Sequence, residues 1–246
     1  MSHQSSDPPS RSFEGKVAIV TGAGCAGDGI GNGRAISIML ADEGCDVVCL
    51  DRDLSWAAKT AEMANSRPGR GKALAAQGDV TSAADCEAVV KLALENFGRL
   101  DILVNNVGIA GASGTAVDVD MEQWTSSLNV NVSSMVLMAK YAVPAMVKNE
   151  GEQKGAIINM GSVAGLKGGT PHLLYPTSKG AIVNMTRAMA AHHAKDGIRV
   201  NCVCPGMLYT PMIPHARWIT GVILPVDAGT TAAVGIGMDK SASVNG

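Results

Sequence analysis

Seven short apolar runs, VAIVTG, DVVCLD, ALAAQGDV, DILVNNVG, AIINMGS, IRVNCVCPG and GVILPVDAG, recur along the chain with helix-length segments between most of them. A strand that faces solvent on one side alternates polar with apolar residues. These runs do not alternate, so they call for cover on both faces, as in a parallel sheet. The spacing predicts helices over 34–42, 55–65, 83–96, 121–148 and 176–195, the last with Pro176 in its first turn and Gly197 just past its end. Strands and helices in alternation give a doubly wound α/β fold with a parallel sheet of about seven strands. With 246 residues, 46% hydrophobic and 17% charged, the chain can bury one substantial core. We expect a single domain over 14–246 behind a polar, disordered tail at 1–13.

A formal net charge of −2, with no run of Lys or Arg, gives no footprint for nucleic acid. The N-terminus has no apolar signal-peptide core, and no apolar stretch is long enough to span a bilayer, so neither membrane nor export is expected and a cytoplasmic location is. Cysteines at 25, 45, 49, 86, 202 and 204 lack C-x-x-C or metal-ligand spacing. They read as reduced core residues, and no metal site is expected.

Ligands of such folds gather beyond the carboxyl ends of the strands. The first strand runs into TGAGCAGDGIGNGRA, with six glycines between Gly22 and Gly33. A backbone that bare either forms a flexible surface loop or lets anionic oxygens approach N–H groups at a helix start. The second strand ends at Asp51, about where a dinucleotide fold places an acid for the ribose hydroxyls; taken alone, an ordinary turn acid is the lesser reading. Its charge would repel a 2′-phosphate, which favours NAD over NADP, although Arg52 beside it could pair with that phosphate. The third strand ends at Asp79 and Val80, the fourth at Asn105, Asn106 and Gly108, all residue types that also serve as ordinary turns.

Tyr175 and Lys179, in YPTSK, lie one helical turn apart. With three tyrosines in the chain, chance supplies such a pair roughly 0.13 times, so the pair needs company to carry weight. Ser162 closes the run AIINMGS, and Asn131 lies in NVNV. With these pieces in place, TGAG…GIG, GDV, NNVG, WTSSLNVNV, NMGSVAG, YPTSK and NCVCPGMLYTPM stand in the order of the short-chain dehydrogenase/reductase family, which the chain resembles over nearly its whole length.

The resemblance implies a Rossmann-like fold and hydride transfer between NAD(H) and a secondary alcohol or ketone, a small-molecule substrate. It makes Tyr175 the acid/base, Lys179 its electrostatic partner and ribose ligand, Ser162 the group that polarises the substrate oxygen, and Asn131 the anchor of a proton-relaying water. A lysine ammonium about 5 Å from a phenol favours the phenolate by roughly 3 kcal/mol at an effective dielectric near 20. The family's T-G-x-x-x-G-x-G spacing is exceeded here, since six residues separate Gly22 from Gly29, so the diphosphate turn is assigned to Gly22, Gly29, Ile30 and Gly31. Asp51, Asp79, Val80, Asn105, Gly108, Pro205 and Thr210 complete the cofactor set, Thr210 and Pro205 holding the carboxamide.

Tyr209 and Met212 are expected to line the substrate side, and His172 reads as an exposed loop residue. The segment after Met212 is shorter than the family's substrate lid. A homodimer or homotetramer is expected, with Ala139, Ala142, Ala145 and Met146 on one helix and Ala181, Ile182, Met185, Ala188 and Met189 on another forming the retained interface. The alternative is a cofactor-binding, catalytically impaired member that acts through association.

Overall fold

A computed structural model describes residues 12–25 and 29–206. Six parallel strands lie in the order β3-β2-β1-β4-β5-β6: β1 (Val17–Thr21), β2 (Asp46–Asp51), β3 (Ala73–Gln77), β4 (Ile102–Asn105), β5 (Gly155–Met160) and β6 (Ile198–Val203). The expected seventh run, GVILPVDAG, lies outside the described residues, as do Tyr209, Thr210, Met212 and the lid segment. The order reverses between β1 and β4, which opens the crevice of a doubly wound sheet there.

Successive strand residues point to opposite faces, and both faces are apolar. Val17, Ile19, Val48 and Leu50 pack with Cys86, Val89, Val90 and Ala93 of α3 (Ala83–Phe97) and with Met138, Ala139, Ala142 and Met146 of α5 (Ser134–Met146). Met189 and Ala190 of α6 (Leu174–His193) join that side. Ala18, Val20, Val47 and Cys49 face the other way, onto Ile38 and Ala41 of α1 (Asn32–Asp42) and Ala61 and Ala64 of α2 (Leu54–Asn65). Each such side chain, fully buried, contributes about 1.5–3 kcal/mol for the larger aliphatics.

Two expectations need correction. The helix predicted over 121–148 is three pieces: α4 (Met121–Leu128), a π-helical turn (Asn129–Ser133) and α5. The small residues assigned to a subunit interface do not all face outward either. Ala139, Ala142, Ala145, Met146 and Ile182 are at most 5% exposed within the chain itself, because α5 packs on β4 and β5 with α3 beside it, and Ile182 is buried on α6. Of that set Ala181 and Ala188 are exposed and Met185 is half-buried. Pro144 sits inside α5, in its last turn.

At the end of the sheet away from the crevice, Asp101 just before β4 accepts hydrogen bonds from Val17 N (3.0 Å), Lys16 Nζ (3.1 Å) and both Arg99 Nε and Nη2 (2.7 Å each). Burial opposes its charge, but Arg99, the Val17 N–H and Lys16 outweigh it and hold the carboxyl below the usual aspartate range. A group held down in this way stabilises the fold above its unfolded pKa, and that contribution is lost as pH falls through the folded value. Asp101→Asn is therefore expected to cost about 2 kcal/mol at pH 7, and the gap to the parent protein should narrow below about pH 4. Paired thermal melts at pH 7 and pH 3 measure both terms.

Candidate active site

The glycine loop leaves β1 at Gly22, whose φ of 60° is left-handed and suits glycine. Gly31 caps α1 at its N-terminus without a side-chain bond, and no acid lies in the first turn, so the helix start presents N–H groups and positive dipole to whatever lies before it. The close backbone approach falls on Gly33: a Cβ there would lie 2.0 Å from Gly22 O and 2.7 Å from Asn106 Nδ2. Sequence reading assigned no role to Gly33. Gly31 meets only the Cys25 sulfur at 3.3 Å, and Ile30 exposes half its surface.

Two further residues hold this loop; sequence reading gave Arg34 no role and named Asn106 only as a strand-end residue. Arg34 is fully buried. Its guanidinium donates to Gly29 O, to Cys25 O (3.1 Å) and to Thr60 Oγ1 (3.0 Å), and Thr60 in turn donates to Ala23 O (2.8 Å). Asn106 donates from Nδ2 to Thr21 O (3.1 Å) and Gly22 O (3.0 Å), which ties the β4 end to the start of the loop.

Asp51, at the β2 end, accepts from Gly24 N on Oδ2 (2.9 Å) and from Asp53 N on Oδ1 (3.1 Å). Each oxygen keeps a lone pair for a hydroxyl. Asp51, Arg52, Trp56 and Gln77 line an open pocket of about 440 Å³, within the usual range for ligand sites. Gly24 is part of its wall: a Cβ would stand 2.5 Å from Trp56 Cβ and 2.8 Å from Asp51 Oδ2. An uncapped helix N-terminus beside a carboxylate-lined pocket fits a dinucleotide, anionic at its middle and hydroxylated at its ribose.

Other members of the expected cofactor set spend their side chains on the protein. Asp79 Oδ1 accepts from Thr81 N (2.8 Å) and Thr81 Oγ1 (2.7 Å), and the Thr81 N–H with its hydroxyl keeps the carboxyl below its ordinary range. Val80 is buried in the core, so its backbone alone is left to face a ligand. Asn105 donates to Asn159 Oδ1 (2.9 Å), and Asn159 to Thr186 Oγ1 (3.0 Å), a buried polar chain that crosses from β4 through β5 to α6.

The catalytic candidates converge where β4, β5 and α6 meet. Lys179 is 4% exposed and donates from Nζ to Met160 O (2.9 Å) at the β5 end. The same nitrogen stands 5.7 Å from the centroid of the Tyr175 ring. Burial pushes the ammonium below the ordinary lysine range, while the sulfurs of Cys202 and Cys204 act the other way. Gly108 leaves room for it, since a Cβ would lie 3.1 Å from Nζ and 3.8 Å from Asn131 Oδ1.

Asn131, in the π-helical turn, is fully buried. It accepts from Ile109 N (2.8 Å) and donates to Ile109 O (2.9 Å) and Ser178 Oγ (3.1 Å). The extra residue of the π turn is what such interruptions commonly supply at functional sites. Ser162 follows Met160 by two residues and accepts from Ala164 N (3.1 Å). A hydroxyl used as acceptor keeps its proton to give. Gly165 fixes where this segment sits, because a Cβ there would come within 2.4 Å of the Lys179 backbone. Pro205 O accepts from Val163 N (3.0 Å), joining the turn after β6 to the same segment.

Residues 16–217 match the family described as short chain dehydrogenase. The chain belongs to the short-chain dehydrogenase family. It is 35% identical to meso-2,3-butanediol dehydrogenase of Serratia marcescens over 258 aligned residues, covering 91% of this chain and 97% of that protein. Against 2-(S)-hydroxypropyl-CoM dehydrogenase 3 of Xanthobacter autotrophicus, identity is 40% over 197 residues, 80% of this chain and 73% of the relative. Among solved structures, a short-chain dehydrogenase/reductase from Burkholderia xenovorans superposes with a TM-score of 0.75 at 41% identity, covering 82% of this chain and 78% of the other. NAD+-bound xylitol dehydrogenase follows with a TM-score of 0.71 at 33% identity over 79% and 71%. A short-chain dehydrogenase of this kind is an oxidoreductase acting on alcohols and ketones with a nicotinamide cofactor. No helix among the described residues is long and apolar enough to cross a membrane.

All six cysteines are free. Cys45, Cys49 and Cys86 are core residues as expected, whereas Cys25, Cys202 and Cys204 are only half-buried, because they sit on the ligand side of the strand ends. Among the described residues no group of three or more potential ligands gathers to hold a metal. His172 is exposed, and its Nδ1 accepts from Gly114 N (3.1 Å), which links the loops after β4 and before α6.

Proposed function

We propose that this short-chain dehydrogenase moves a hydride between NAD(H) and a small secondary alcohol or ketone in the cytoplasm, with Tyr175 as the acid/base. The observation that carries the reading is the buried Lys179 ammonium over the Tyr175 ring, tethered to Met160 O two residues before Ser162. A bound nicotinamide ring supplies the hydride acceptor or donor. Tyr175 Oη takes the hydroxyl proton as the alcohol is oxidised, or returns it in the reverse direction. Lys179 stabilises the phenolate through space, and a water anchored by Asn131 relays the proton from Lys179 to solvent. Ser162 donates a hydrogen bond from its free O–H to the substrate oxygen, which polarises it and fixes its position. Relatives named for butanediol and cyclohexanol make secondary alcohols and vicinal diols the first substrates to try. NADH formation with such a panel tests the reading; no turnover with any member, from a chain that binds NADH, would favour an impaired protein acting through association.

The spacing of the catalytic groups along α6 makes Lys179→Met a two-sided test. One ammonium serves both phenolate and ribose, so turnover should fall by at least 100-fold and NADH affinity by several-fold, roughly 1 kcal/mol. Affinity left intact would remove the ribose contact from the account.

Preference for NAD is assigned to Asp51, with Arg52 in reserve. Asp51→Ser removes the charge that opposes a 2′-phosphate and leaves Arg52 free to pair with it. The ratio of NADPH to NADH dissociation constants should shift about tenfold toward NADPH, roughly 1.4 kcal/mol. Fluorescence titration of both cofactors reads it directly. We place the carboxamide contact at Pro205 and Thr210, and read the protein as a homodimer or homotetramer.

A further inference from the structure

We propose that the indole of Trp56 is the platform on which the cofactor's adenine stacks, a role that rests on the dinucleotide reading of Asp51 and of the α1 N-terminus. The ribose assigned to Asp51 carries the base directly on its C1′, so ribose and base share one pocket. That pocket, of about 440 Å³, is bounded by Asp51, Arg52, Leu54, Trp56 and Gln77, and Trp56 is the one aromatic residue among the described residues that line it.

Local structure puts the ring there. Trp56 stands in the first turn of α2, which begins three residues after β2 ends and so lies at the ligand edge of the sheet. Its N–H donates to Asp53 Oδ1 (3.3 Å), and its carbonyl accepts from Thr60 Oγ1 (3.2 Å). Thr60, one turn further on, meets the glycine loop by donating to Ala23 O (2.8 Å), which places Trp56 on the same face of α2. The point where a Gly24 Cβ would stand is 2.5 Å from Trp56 Cβ and 2.8 Å from Asp51 Oδ2, so the root of the indole and the ribose carboxylate face each other across the width of one methyl. That root is packed, yet the residue keeps 38% of its surface exposed, and the exposed area therefore belongs to the ring.

The order of groups along a dinucleotide completes the assignment. The diphosphate goes to the start of α1, on one side of the ribose, which leaves the α2 side to the base. A purine brings a flat, uncharged π face to the indole, whereas a phosphate or carboxylate in the same place would meet Asp51 as a like charge. A base stacked on an aromatic side chain gains roughly fivefold to a hundredfold in affinity. Asp51 thus selects the sugar, and Trp56 holds the base.

The test is binding alone and needs no substrate. The chain has three tryptophans. ADP-ribose, which carries the adenosine half without the nicotinamide, should quench the tryptophan emission of the parent chain and of Trp124→Phe, altered on α4, but not that of Trp56→Phe. By calorimetry, Trp56→Leu, which keeps apolar bulk and loses the ring, should weaken NADH and ADP-ribose by the same factor, roughly fivefold or more. Reduced nicotinamide mononucleotide should bind it as it binds the parent, and Trp56→Phe, which keeps a π face, should hold both adenosine ligands more tightly than Trp56→Leu does. If Trp56→Leu does not fold, the quench and its loss in Trp56→Phe carry the test. A smaller loss in Trp56→Leu, an equal loss in Trp56→Phe, or a quench that survives in Trp56→Phe overturns the platform and leaves the dinucleotide reading standing. A parent chain that binds neither NADH nor ADP-ribose overturns that reading, and the platform with it.

Discussion

Tyr175→Phe is expected to lower turnover by roughly three orders of magnitude, about 4 kcal/mol of barrier, while NADH binds within a few-fold of the parent protein. The substitution removes one oxygen from a half-buried ring and leaves the ring's contact with the Lys179 ammonium in place. Lys179 keeps its bond to Met160 O, so the scaffold of the site survives the change. Rates with the best alcohol of the panel and NADH fluorescence titrations measure the two halves separately. A variant that turned over within tenfold of the parent would take the acid/base role away from Tyr175; one that lost NADH binding would mean that the phenol holds the cofactor.

Gly33→Ala should be nearly as damaging, and for a reason opposite to local preference. Alanine is the better helix former by about 1 kcal/mol, so an exposed glycine in α1 would be improved by the exchange. Here the added methyl would sit 2.0 Å from Gly22 O, and it can be accommodated only if α1 withdraws from the end of β1 or breaks the Asn106 clasp. We expect a net loss of about 3 kcal/mol and a fall in Tm of about 10 °C, with NADH affinity reduced because the helix start moves. Gly168→Ala, where nothing lies within 4 Å, is the control and should change little. A Gly33→Ala protein with unaltered Tm would show that the approach of α1 to β1 is looser than its geometry states.

The strands were legible because a sheet covered on both faces leaves unbroken Val, Ile and Leu runs, a signal that needs no knowledge of distant contacts. Tyr175 and Lys179 were legible because one helical turn of local sequence sets their relation. Arg34 was not: in NGRAISIML a charged residue reads as solvent-facing, and only the carbonyls of Cys25 and Gly29 folding back over it make it a buried one. Gly31 and Gly33 are chemically alike, so the choice between them waits on the position of Gly22 O. The π turn was hidden for a similar reason. WTSSLNVNVSSMVLM keeps helical apolar spacing, and the extra residue is set by Asn131 reaching Ile109 across the site. The Asn105–Asn159–Thr186 chain joins residues 54 and 27 positions apart, separations that no short window reports.

The buried guanidinium of Arg34 also makes the glycine loop and the helices one mechanical unit. It holds Cys25 O and Gly29 O from α1, while Thr60 of α2 accepts from it and holds Ala23 O. A core substitution that shifts α1 or α2 against the sheet therefore carries these carbonyls with it, so cofactor affinity can be retuned from positions that never touch the cofactor.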